Sequence, residues 1–538
     1  MTLELPDWME ERPWVETVSL ELPLPGLHDN TADWDRLERA LEQGGFSPVL
    51  VSPRCLSGFI ASLRAERFRV SAVLGQTPWG WELIEVGPYE HDAPVLGLAV
   101  DLGTSQLVFY LVDLRSRRLL SRISAPNPQI PLGEDILQRI LFARHQENRT
   151  TLQRSLITAF NRSVGQMIEE RDLPPSRVFA VAVCGNPAMS HFFLGLDPSN
   201  LCKEPYIPSA NRFPLHHAAD LDLDIHPRAP VYVFPNVGSY FGGDLLAGIL
   251  AAGIHRSEDL SILVDVGTNA EVVLGNRDWL IACAGAAGPA LEGGVVERGM
   301  MASPGAIDRV RIDGRTWEPS FHVLGDGKPR GICGSGLIDL VAEMFRAGIL
   351  TIQGKINVQA GSPRVIVTDD GPAYIVAHRE ETEDGRDLVV TEVDVGIFLK
   401  SKAAMYTILN VITRKVGVTF QDLKHFYVAG AFGNRIDPEM AIRIGMLPDL
   451  PPDTFHGLGN TAGKGAVMLL LDRSLFGRIE EIRKRITYVE LNVNLELMNE
   501  FRGALFLPHT DPRLFPSVRI PQRDCRTDES GPFHGALP

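Results

Sequence analysis

The sequence predicts an α/β protein of several domains, built around a strand–turn–strand unit that occurs twice. The first copy, Leu98–Leu114, carries Asp-Leu-Gly-Thr at its turn, and the second, Ile262–Leu274, carries Asp-Val-Gly-Thr. An apolar run that enters and leaves a short polar turn is typical of a β-hairpin. A glycine-rich segment leading into a helix of small residues follows later in each half. The duplication indicates two related halves.

Length and composition are those of a multidomain globular protein. The chain has 538 residues, of which 44% are apolar and 22% are charged. A chain of this length exceeds one hydrophobic core and predicts three or four domains. The net charge of −15 opposes binding to nucleic acid, because a phosphate backbone requires a surface rich in lysine and arginine. We therefore exclude nucleic acid as a partner.

The sequence gives no sign of export or membrane insertion. No uncharged apolar run reaches the roughly 18 residues that suggest a membrane-spanning helix, and the acidic N-terminus lacks the apolar region of a signal peptide. We expect a cytoplasmic protein that has no membrane partner. The six cysteines contain no CxxC pair, so their spacing predicts neither a zinc ribbon nor a ferredoxin cluster.

Residues 1–94 are predicted to form a separate small α+β domain. A strand is expected from Val18 to Leu22, a capped amphipathic helix from Thr31 to Glu42, and a second strand from Trp79 to Val86. This segment has no pattern of catalytic residues. A docking or spacer role is the prediction.

The turn of the first hairpin is suited to holding phosphate. Gly103 allows the backbone to approach a ligand, because it has no Cβ. The hydroxyl groups of Thr104 and Ser105, together with the N–H groups of the turn, are donors for phosphate oxygens. Asp101 is placed to hold a hydrated Mg²⁺ ion. The same pattern in ordinary turns makes one copy weak evidence, and the second copy at Asp265 strengthens it.

Three further segments have residues suited to a nucleotide site. Asn236–Gly253 is a glycine-rich entry into a helix of small residues, and Asp244 at its start either caps the helix or faces a phosphate-bound water. Gly457–Leu471 has the same design. Small side chains let two helices approach closely. The turn at Gly430-Ala-Phe-Gly433 leaves room for a flat purine ring.

The order of these five segments resembles that of the actin, sugar-kinase and heat-shock ATPase superfamily. The resemblance covers about residues 95–475 and implies two phosphate loops, an adenosine loop and two connecting helices. It implies an α/β fold with two ribonuclease-H-like (actin-like ATPase) domains and the small N-terminal α+β domain. The expected boundaries are 1–94 for the N-terminal domain, 95–256 and 257–475 for the ATPase domains, and 476–538 for a C-terminal extension with a disordered tail.

A closer resemblance extends over nearly the whole chain. Pro205-Tyr206, the run Asn236–Asp244, Gly331-Ile-Cys-Gly-Ser-Gly336 and the closing Phe506-Leu-Pro-His-Thr-Asp511 look like those of ATP-dependent reductive activators of corrinoid proteins. Residues 14–94 are similar to the linker and middle region of that family. Such activators use ATP to return a Co(II) corrinoid to Co(I). In that family the electron enters through an N-terminal [2Fe–2S] domain.

The resemblance sets the expected cofactors and partners. Before the ATPase module this chain has only Cys55, whereas a plant-type cluster needs four cysteine thiolates. We therefore expect ATP and Mg²⁺ but no iron–sulfur cluster in this chain, and a separate ferredoxin or flavodoxin as electron donor. The expected partner is a corrinoid protein or a corrinoid-dependent methyltransferase, and the expected assembly is a homodimer.

The expected site binds ATP·Mg²⁺ between the two hairpins. Asp101 and Asp265 are predicted to hold the metal through water. Asp244 is the preferred candidate to orient the hydrolytic water, with Glu271 and Glu292 as alternatives. The predicted nucleotide-binding residues are Gly103, Thr104, Ser105, Gly267, Thr268, Asn269, Gly430 and Gly433.

Three other functions stay open at the level of sequence. A small-molecule kinase on the same fold would phosphorylate a metabolite. An activator of the 2-hydroxyacyl-CoA dehydratase kind would hold a [4Fe–4S] cluster between two subunits, which would require Cys283 or Cys333. A non-catalytic protein would use nucleotide only to regulate docking to a partner.

Overall fold

The computed structural model describes residues 5–90, 93–267, 269–286, 296–360, 362–369, 371–433, 435–489 and 495–521. The chain divides into two compact units. The first comprises residues 1–263, 273–284 and 458–489, and the second comprises residues 264–272, 285–457 and 490–538. Residues 458–489 thus group with the first unit, whereas the expected boundaries assign most of them to the second ATPase domain. Those boundaries stay predictions.

The N-terminal part of the first unit is a four-stranded sheet with two helices. Its elements are β1 (Val15–Glu21), α1 (Asp33–Gln43), β2 (Val49–Leu50), α2 (Pro53–Ala65), β3 (Arg69–Thr77) and β4 (Gly80–Pro88). The strand order is β1-β3-β4-β2, and only β2 runs parallel to its neighbour. Phe46 and Trp81 pack edge to face in its core. A small α+β domain is therefore present, as predicted.

The middle of the chain forms a six-stranded sheet that begins with the first hairpin. Its elements are β5 (Leu96–Leu102), β6 (Gln106–Asp113), β7 (Arg118–Pro126), α3 (Ile136–Phe142), α4 (Gln146–Glu169), β8 (Val178–Gly185), α5 (Pro187–Leu194), β9 (His216–His217), β10 (Pro230–Val233) and α6 (Gly243–Ala252). The order is β7-β6-β5-β8-β10-β9. Strands β5, β8 and β10 are parallel, so their carboxyl ends lie at one edge.

Helix α4 covers this sheet with a stripe of apolar residues. Leu152, Leu156, Phe160, Val164 and Met167 recur at intervals of three or four and are all buried. The Phe160 ring contacts that of Phe109 at 5.8 Å between centroids. The helical period of the sequence thus sets which face of α4 joins the core.

The remaining residues form a second six-stranded sheet and two three-stranded sheets. Their elements are β11 (Ser261–Val266), β12 (Asn269–Gly275), β13 (Leu280–Ala286), β14 (Ala306–Ile312), β15 (Pro319–Val323), β16 (Gly331–Ile332), α7 (Gly334–Arg346), β17 (Val365–Thr368), β18 (Gly371–Ala377), β19 (Leu388–Thr391), α8 (Glu392–Lys415), β20 (His425–Ala429), α9 (Gly430–Gly433), α10 (Pro438–Arg443), β21 (Phe455–Gly459), α11 (Thr461–Leu471), α12 (Leu475–Arg485), β22 (Ile486–Tyr488) and α13 (Leu495–Ala504). The strand orders are β21-β20-β11-β12-β13-β22, β15-β14-β16 and β17-β18-β19.

Helices α6 and α11 pack closely in the first unit, as their small residues predict. A Cβ on Gly465 of α11 would lie 2.2 Å from the carbonyl oxygen of Ala247 in α6. A Cβ on Gly248 of α6 would lie 3.1 Å from the hydroxyl of Thr461. Larger side chains at Gly465 would force the helices apart.

Helix α8 is a long helix of 24 residues. It starts with a capping box, in which the Thr391 hydroxyl accepts from the Asp394 N–H and the Asp394 carboxylate accepts from the Thr391 N–H. By length and composition it is the one helix among the described residues that passes the test for a membrane span, but 72% of its apolar window is buried within the protein. Such burial is typical of a core helix.

An ion-pair cluster joins the N-terminal sheet to the middle sheet within the first unit. The Glu82 carboxylate of β4 lies 3.0 Å from Nε2 of His217 in β9 and 3.0 Å from Nη2 of Arg228. The hydrogen bond to Glu82 raises the pKa of His217. Burial acts to raise the pKa of Glu82, but His217 and Arg228 outweigh it, so the net shift is downward. The cluster therefore favours a protonated His217.

His217→Gln should destabilise the first unit more at low pH than at high pH. Because the folded-state pKa of His217 lies above its unfolded value, the ionic contribution is fully present below the unfolded pKa of about 6.5 and is lost as the pH rises through the folded pKa. Urea midpoints at pH 6 and pH 9 measure this. His28→Gln, at an exposed site, is the matched control. An equal loss at both pH values would show that the cluster acts without charge.

Candidate functional site

The first hairpin ends in a turn that only glycine allows. Strands β5 and β6 pair antiparallel as far as Leu102 and Leu107. A Cβ on Gly103 would lie 2.4 Å from the carbonyl oxygen of Gln106. The Asn127 side chain donates to the Gly103 carbonyl at 2.8 Å, and the Asn127 N–H donates to the Ser105 carbonyl at 2.9 Å. The predicted hairpin is confirmed, and two hydrogen bonds from Asn127 connect its tip to the residue that follows β7.

The carboxylate of Asp101 lies at the end of β5 and is oriented by a helix cap. Asn460 Nδ2 donates to Asp101 Oδ2 at 2.7 Å. Asn460 Oδ1 accepts from the Gly463 N–H at 2.6 Å and thereby caps helix α11. The second small-residue helix thus fixes the residue predicted to hold Mg²⁺. Asn460 is a site residue that the sequence reasoning missed.

The hydroxyl of Thr104 is oriented from the neighbouring strand. Asn186 follows β8 and caps α5, where its Oδ1 accepts from the Met189 N–H at 2.9 Å. Asn186 Nδ2 donates to Thr104 Oγ1 at 3.1 Å. Because the Thr104 oxygen accepts this bond, its own hydrogen stays available to a ligand. Asn186 is the second site residue that sequence reasoning missed.

The start of helix α6 lies against the same edge of the sheet. A Cβ on Gly242 would lie 2.4 Å from the Gly185 carbonyl and 2.5 Å from Cα of Asn186. Asp244 is in the first turn of α6, is half-buried, and its Oδ1 accepts from the Leu245 N–H at 2.8 Å. This bond orients the Asp244 carboxylate at the start of the helix.

These contacts gather one set of polar groups at the carboxyl ends of parallel strands in the first unit. That edge is where open α/β sheets bind ligands. Helices α5, α6 and α11 all begin there, so their N-terminal N–H groups and positive dipole ends favour an anion. The residues brought together are Asp101, Gly103, Thr104, Ser105, Asn186, Asp244 and Asn460.

The second hairpin places a carboxylate beside a glycine in the second unit. Asp265 is near the end of β11, and desolvation raises its pKa to about 6. Gly430 has a φ of +82°, and a Cβ there would lie 2.9 Å from Asp265 Oδ1 and 3.2 Å from the Val266 carbonyl oxygen. The turn after β20 therefore touches the predicted metal-binding carboxylate, a contact that the sequence reasoning did not anticipate.

Four other predicted site residues of the second half lie on or beside the strands β11, β12 and β20. A Cβ on Gly433 would lie 2.2 Å from the Val428 carbonyl oxygen, so Gly433 closes a tight turn. Glu271 is half-buried in β12, and Gly267 follows β11. The backbone of Asn269 begins β12. Thr268 and Glu292 lie outside the described residues.

The described residues hold no preformed cluster of metal ligands. No group of three or more histidine, cysteine, aspartate or glutamate side chains in the described ranges is arranged to bind a metal ion. A hydrated Mg²⁺ shared with nucleotide phosphates needs only one or two carboxylates, so this finding does not conflict with the predicted roles of Asp101 and Asp265. Cys283 and Cys333 are 0% and 2% exposed, which disfavours them as ligands of a cluster shared between two subunits.

Comparison with protein families gives three matches that follow one another along the chain. Residues 8–93 match the RACo linker region, and residues 96–257 match the RACo middle region. Residues 259–519 match the C-terminal domain of RACo, which is described as the ASKHA domain. ASKHA denotes the superfamily of actin, sugar kinases and heat-shock ATPases.

Two named relatives and one solved structure are similar over most of this chain. The corrinoid activation enzyme RamQ of Eubacterium limosum is 31% identical over 410 residues, covering 75% of this chain and 68% of RamQ. The [Co(II) methylated amine-specific corrinoid protein] reductase of Methanosarcina barkeri is 26% identical over 427 residues, 73% of each protein. A structure of a reductive activator for corrinoid, iron–sulfur protein has a TM-score of 0.89 at 36% identity, covering 96% of this chain and 82% of that one.

These similarities extend through the N-terminal domain, the hairpins and the C-terminal helices. They confirm the predicted fold class, an α/β protein with an actin-like ATPase region and a small N-terminal domain. They also agree with the family to which the sequence motifs pointed. The chain belongs to the RACo family of reductive activators of corrinoid proteins.

Proposed function

We propose that this protein hydrolyses ATP to drive the reduction of Co(II) to Co(I) in a corrinoid protein or corrinoid-dependent methyltransferase. The observation that carries the proposal is the ASKHA-type region with both hairpins, within a chain that is 36% identical to a reductive activator over 96% of its length. Two relatives named for corrinoid activation and corrinoid reduction support the same activity.

Each hairpin offers groups suited to the phosphates and the hydrated Mg²⁺ of ATP. In the first unit, the Thr104 hydroxyl and the turn N–H groups donate to phosphate oxygens, while Asp101, held by Asn460, accepts from metal-bound water. In the second unit, Asp265 is assigned the same role, and Gly267, Thr268 and Asn269 are the proposed phosphate-binding residues. The turn that contains Gly430 and Gly433 is the proposed contact for the adenine. Bound Mg²⁺ neutralises charge that develops on the phosphates.

Asp244 orients the water that attacks the terminal phosphate. Its carboxylate lies in the first turn of α6 and is oriented there by a hydrogen bond from the Leu245 N–H. Glu271 and Glu292 are the alternative residues for this role. Positioning and electrostatic stabilisation supply most of the rate enhancement in phosphoryl transfer, so a fixed carboxylate is sufficient for slow turnover.

Electron transfer and ATP hydrolysis are two separate reactions in this proposal. The electron passes from a separate ferredoxin or flavodoxin to Co(II), which becomes Co(I), while ATP and water become ADP and phosphate. The six cysteines contain no CxxC pair, which supports an external donor. The nucleotide does work only through a difference in affinity, because it favours the conformation that binds the corrinoid partner differently. A cytoplasmic homodimer remains our prediction for the cellular form.

Asp265→Ala should weaken ATP·Mg²⁺ binding by about tenfold and lower turnover by about a hundredfold. The variant removes a carboxylate that desolvation makes costly to keep charged, so we expect no loss of fold stability. Calorimetric ATP binding and phosphate release measure the two effects. Asp326→Ala, at an exposed position of the same unit, is the matched control. Unchanged affinity and turnover in Asp265→Ala would mean that the site is assigned wrongly.

The ATPase rate with and without a partner tests the proposed function. The purified protein should hydrolyse ATP, and a Co(II) corrinoid protein should accelerate hydrolysis. Nucleotide binding without turnover under both conditions would support a non-catalytic regulator instead. ADP formation that depends on a metabolite would support a small-molecule kinase.

A further inference from the structure

The first unit contains a cavity that the proposed activity does not use. It has a volume of about 520 Å³ and lies among the β3–β4 turn, residues 212–215, the end of β10 and helix α12. Small-molecule pockets typically have 300–1,000 Å³. None of the hairpin residues assigned to nucleotide lines it. The cavity is therefore separate from the candidate nucleotide site.

Its wall is a packed cluster of aromatic rings. Tyr232 and Phe476 both line the cavity and meet edge to face with 4.9 Å between ring centroids. Trp14 contacts Phe476 at 5.1 Å and is itself 0% exposed. Phe213 completes the aromatic lining. Because the rings are fixed by their neighbours, a flat ligand would enter a preformed surface with little ordering cost.

The rim carries one cation whose charge is poorly compensated. The Arg212 side chain is 71% exposed, and its nearest carboxylate, Glu480, lies 3.9 Å away. Glu480 is already engaged by Arg483 through two hydrogen bonds of 2.8 and 2.9 Å. The other arginine of the lining, Arg473, is ion-paired with Glu16 and lies over the Trp81 ring. Arg212 therefore remains able to bind an anion.

The cavity also offers neutral donors. Tyr232 and Gln76 both belong to the lining. The backbone of Gln76 is hydrogen-bonded to Trp14, but its side-chain amide and the Tyr232 hydroxyl have no hydrogen-bond partner among the described residues. Burial raises the pKa of Tyr232, so the hydroxyl stays protonated and donates. A few polar groups around an aromatic wall are the usual composition of a small-molecule site.

We propose that this cavity binds a planar aromatic molecule with one anionic group. The rings of Tyr232 and Phe476 contact the flat body, and Arg212 with the Tyr232 hydroxyl holds the anion. The inference rests on the first unit alone and does not depend on the corrinoid function. It assigns a second ligand site to the protein, separate from that for ATP.

Two fluorescent dyes that differ by one sulfonate test the proposal. 1-Anilinonaphthalene-8-sulfonate carries the anion, and N-phenyl-1-naphthylamine is its neutral counterpart. The full-length protein should bind the sulfonate dye saturably at one site, and excess ATP should not displace it. Arg212→Gln should weaken the sulfonate dye by about fivefold to tenfold and leave the neutral dye unchanged.

Gly477→Leu tests the same cavity independently, because a larger side chain would fill it. Gly477 lines the cavity on α12, and a Cβ there has no neighbouring atom within 4 Å. Leucine would fill the space without a clash and favours the helix, so this variant should fold and lose both dyes. Gly58→Leu, at an equally open helical position of α2, is the matched control and should bind like the parent protein.

The outcomes that contradict the proposal are specific. Displacement by ATP would assign the dye to the nucleotide site. Binding that survives Gly477→Leu would place the dye elsewhere, and absence of saturable binding would remove the site. Equal weakening of both dyes by Arg212→Gln would show that the arginine does not select an anion.

Discussion

Gly430→Ala is expected to lower ATP turnover by about a hundredfold while the protein stays folded. The alanine Cβ would lie 2.9 Å from Oδ1 of Asp265, so the carboxylate must move away. A displacement of about 1 Å at a catalytic group costs about a hundredfold in rate. The nearest atom is the end of a side chain, and the Val266 carbonyl oxygen at 3.2 Å needs to shift by only a few tenths of an ångström. Stability should therefore fall by roughly 1–2 kcal/mol, the cost of a left-handed backbone at alanine. Phosphate release and urea unfolding measure the two effects.

Gly417→Ala is the control that separates the effect of backbone strain from the effect of the contact with Asp265. Gly417 also has a positive φ of +72°, but a Cβ there has no neighbour within 4 Å. It should show the same loss of stability and normal turnover. If the two alanine variants have equal turnover, the contact between Gly430 and Asp265 is not important for the site.

Lys402→Met should be the most destabilising single substitution that we predict. Lys402 is 0% exposed, and its Nζ donates to the carbonyl oxygens of Ala504, Phe506 and Pro508 at 2.5, 2.6 and 2.6 Å. Burial acts to lower the pKa of Lys402, but three acceptors require three N–H donors and so favour the ammonium form.

Methionine would fill the space but remove the donor from three carbonyl groups, two of them in buried hydrogen bonds and one in a partly buried one. We expect a loss of about 3–5 kcal/mol in the free energy of unfolding of the second unit. Residues 500–515 should also exchange their amide hydrogens faster. Lys400→Met, at an exposed position of the same helix, should change stability by less than about 0.5 kcal/mol. Equal stability of the two variants would show that Lys402 does not hold the C-terminal segment.

Local sequence patterns were sufficient for the parts of the site that one segment determines. The Asp-x-Gly-Thr turn predicted the hairpin, and the structure gives its reason, since Gly103 has no space for a Cβ. The small residues of α6 and α11 predicted close helix packing, which Gly465 and Ala247 show. In these cases the residue type and the local backbone determine the geometry together.

Contacts between distant segments were not predictable from the same patterns. Asp101 and Asn460 are 359 positions apart, and only the folded sheet brings the cap of α11 to the end of β5. The residue type and position of Asn186 are typical of a helix cap. Its hydrogen bond to the Thr104 hydroxyl depends on the pairing of β5 with β8. Lys402 looks like an ordinary helix lysine, because its three acceptors lie more than 100 positions away.

The most direct test of the central claim is to follow cobalt reduction by absorbance. A Co(II) corrinoid protein is mixed anaerobically with this protein, a reduced ferredoxin or flavodoxin, and either ATP or a non-hydrolysable analogue. The account predicts that Co(I) accumulates only with this protein and ATP together, and that Asp265→Ala slows the accumulation by about a hundredfold while Asp326→Ala leaves it unchanged. Accumulation of Co(I) at the same rate without ATP, or none with every component present, would contradict it.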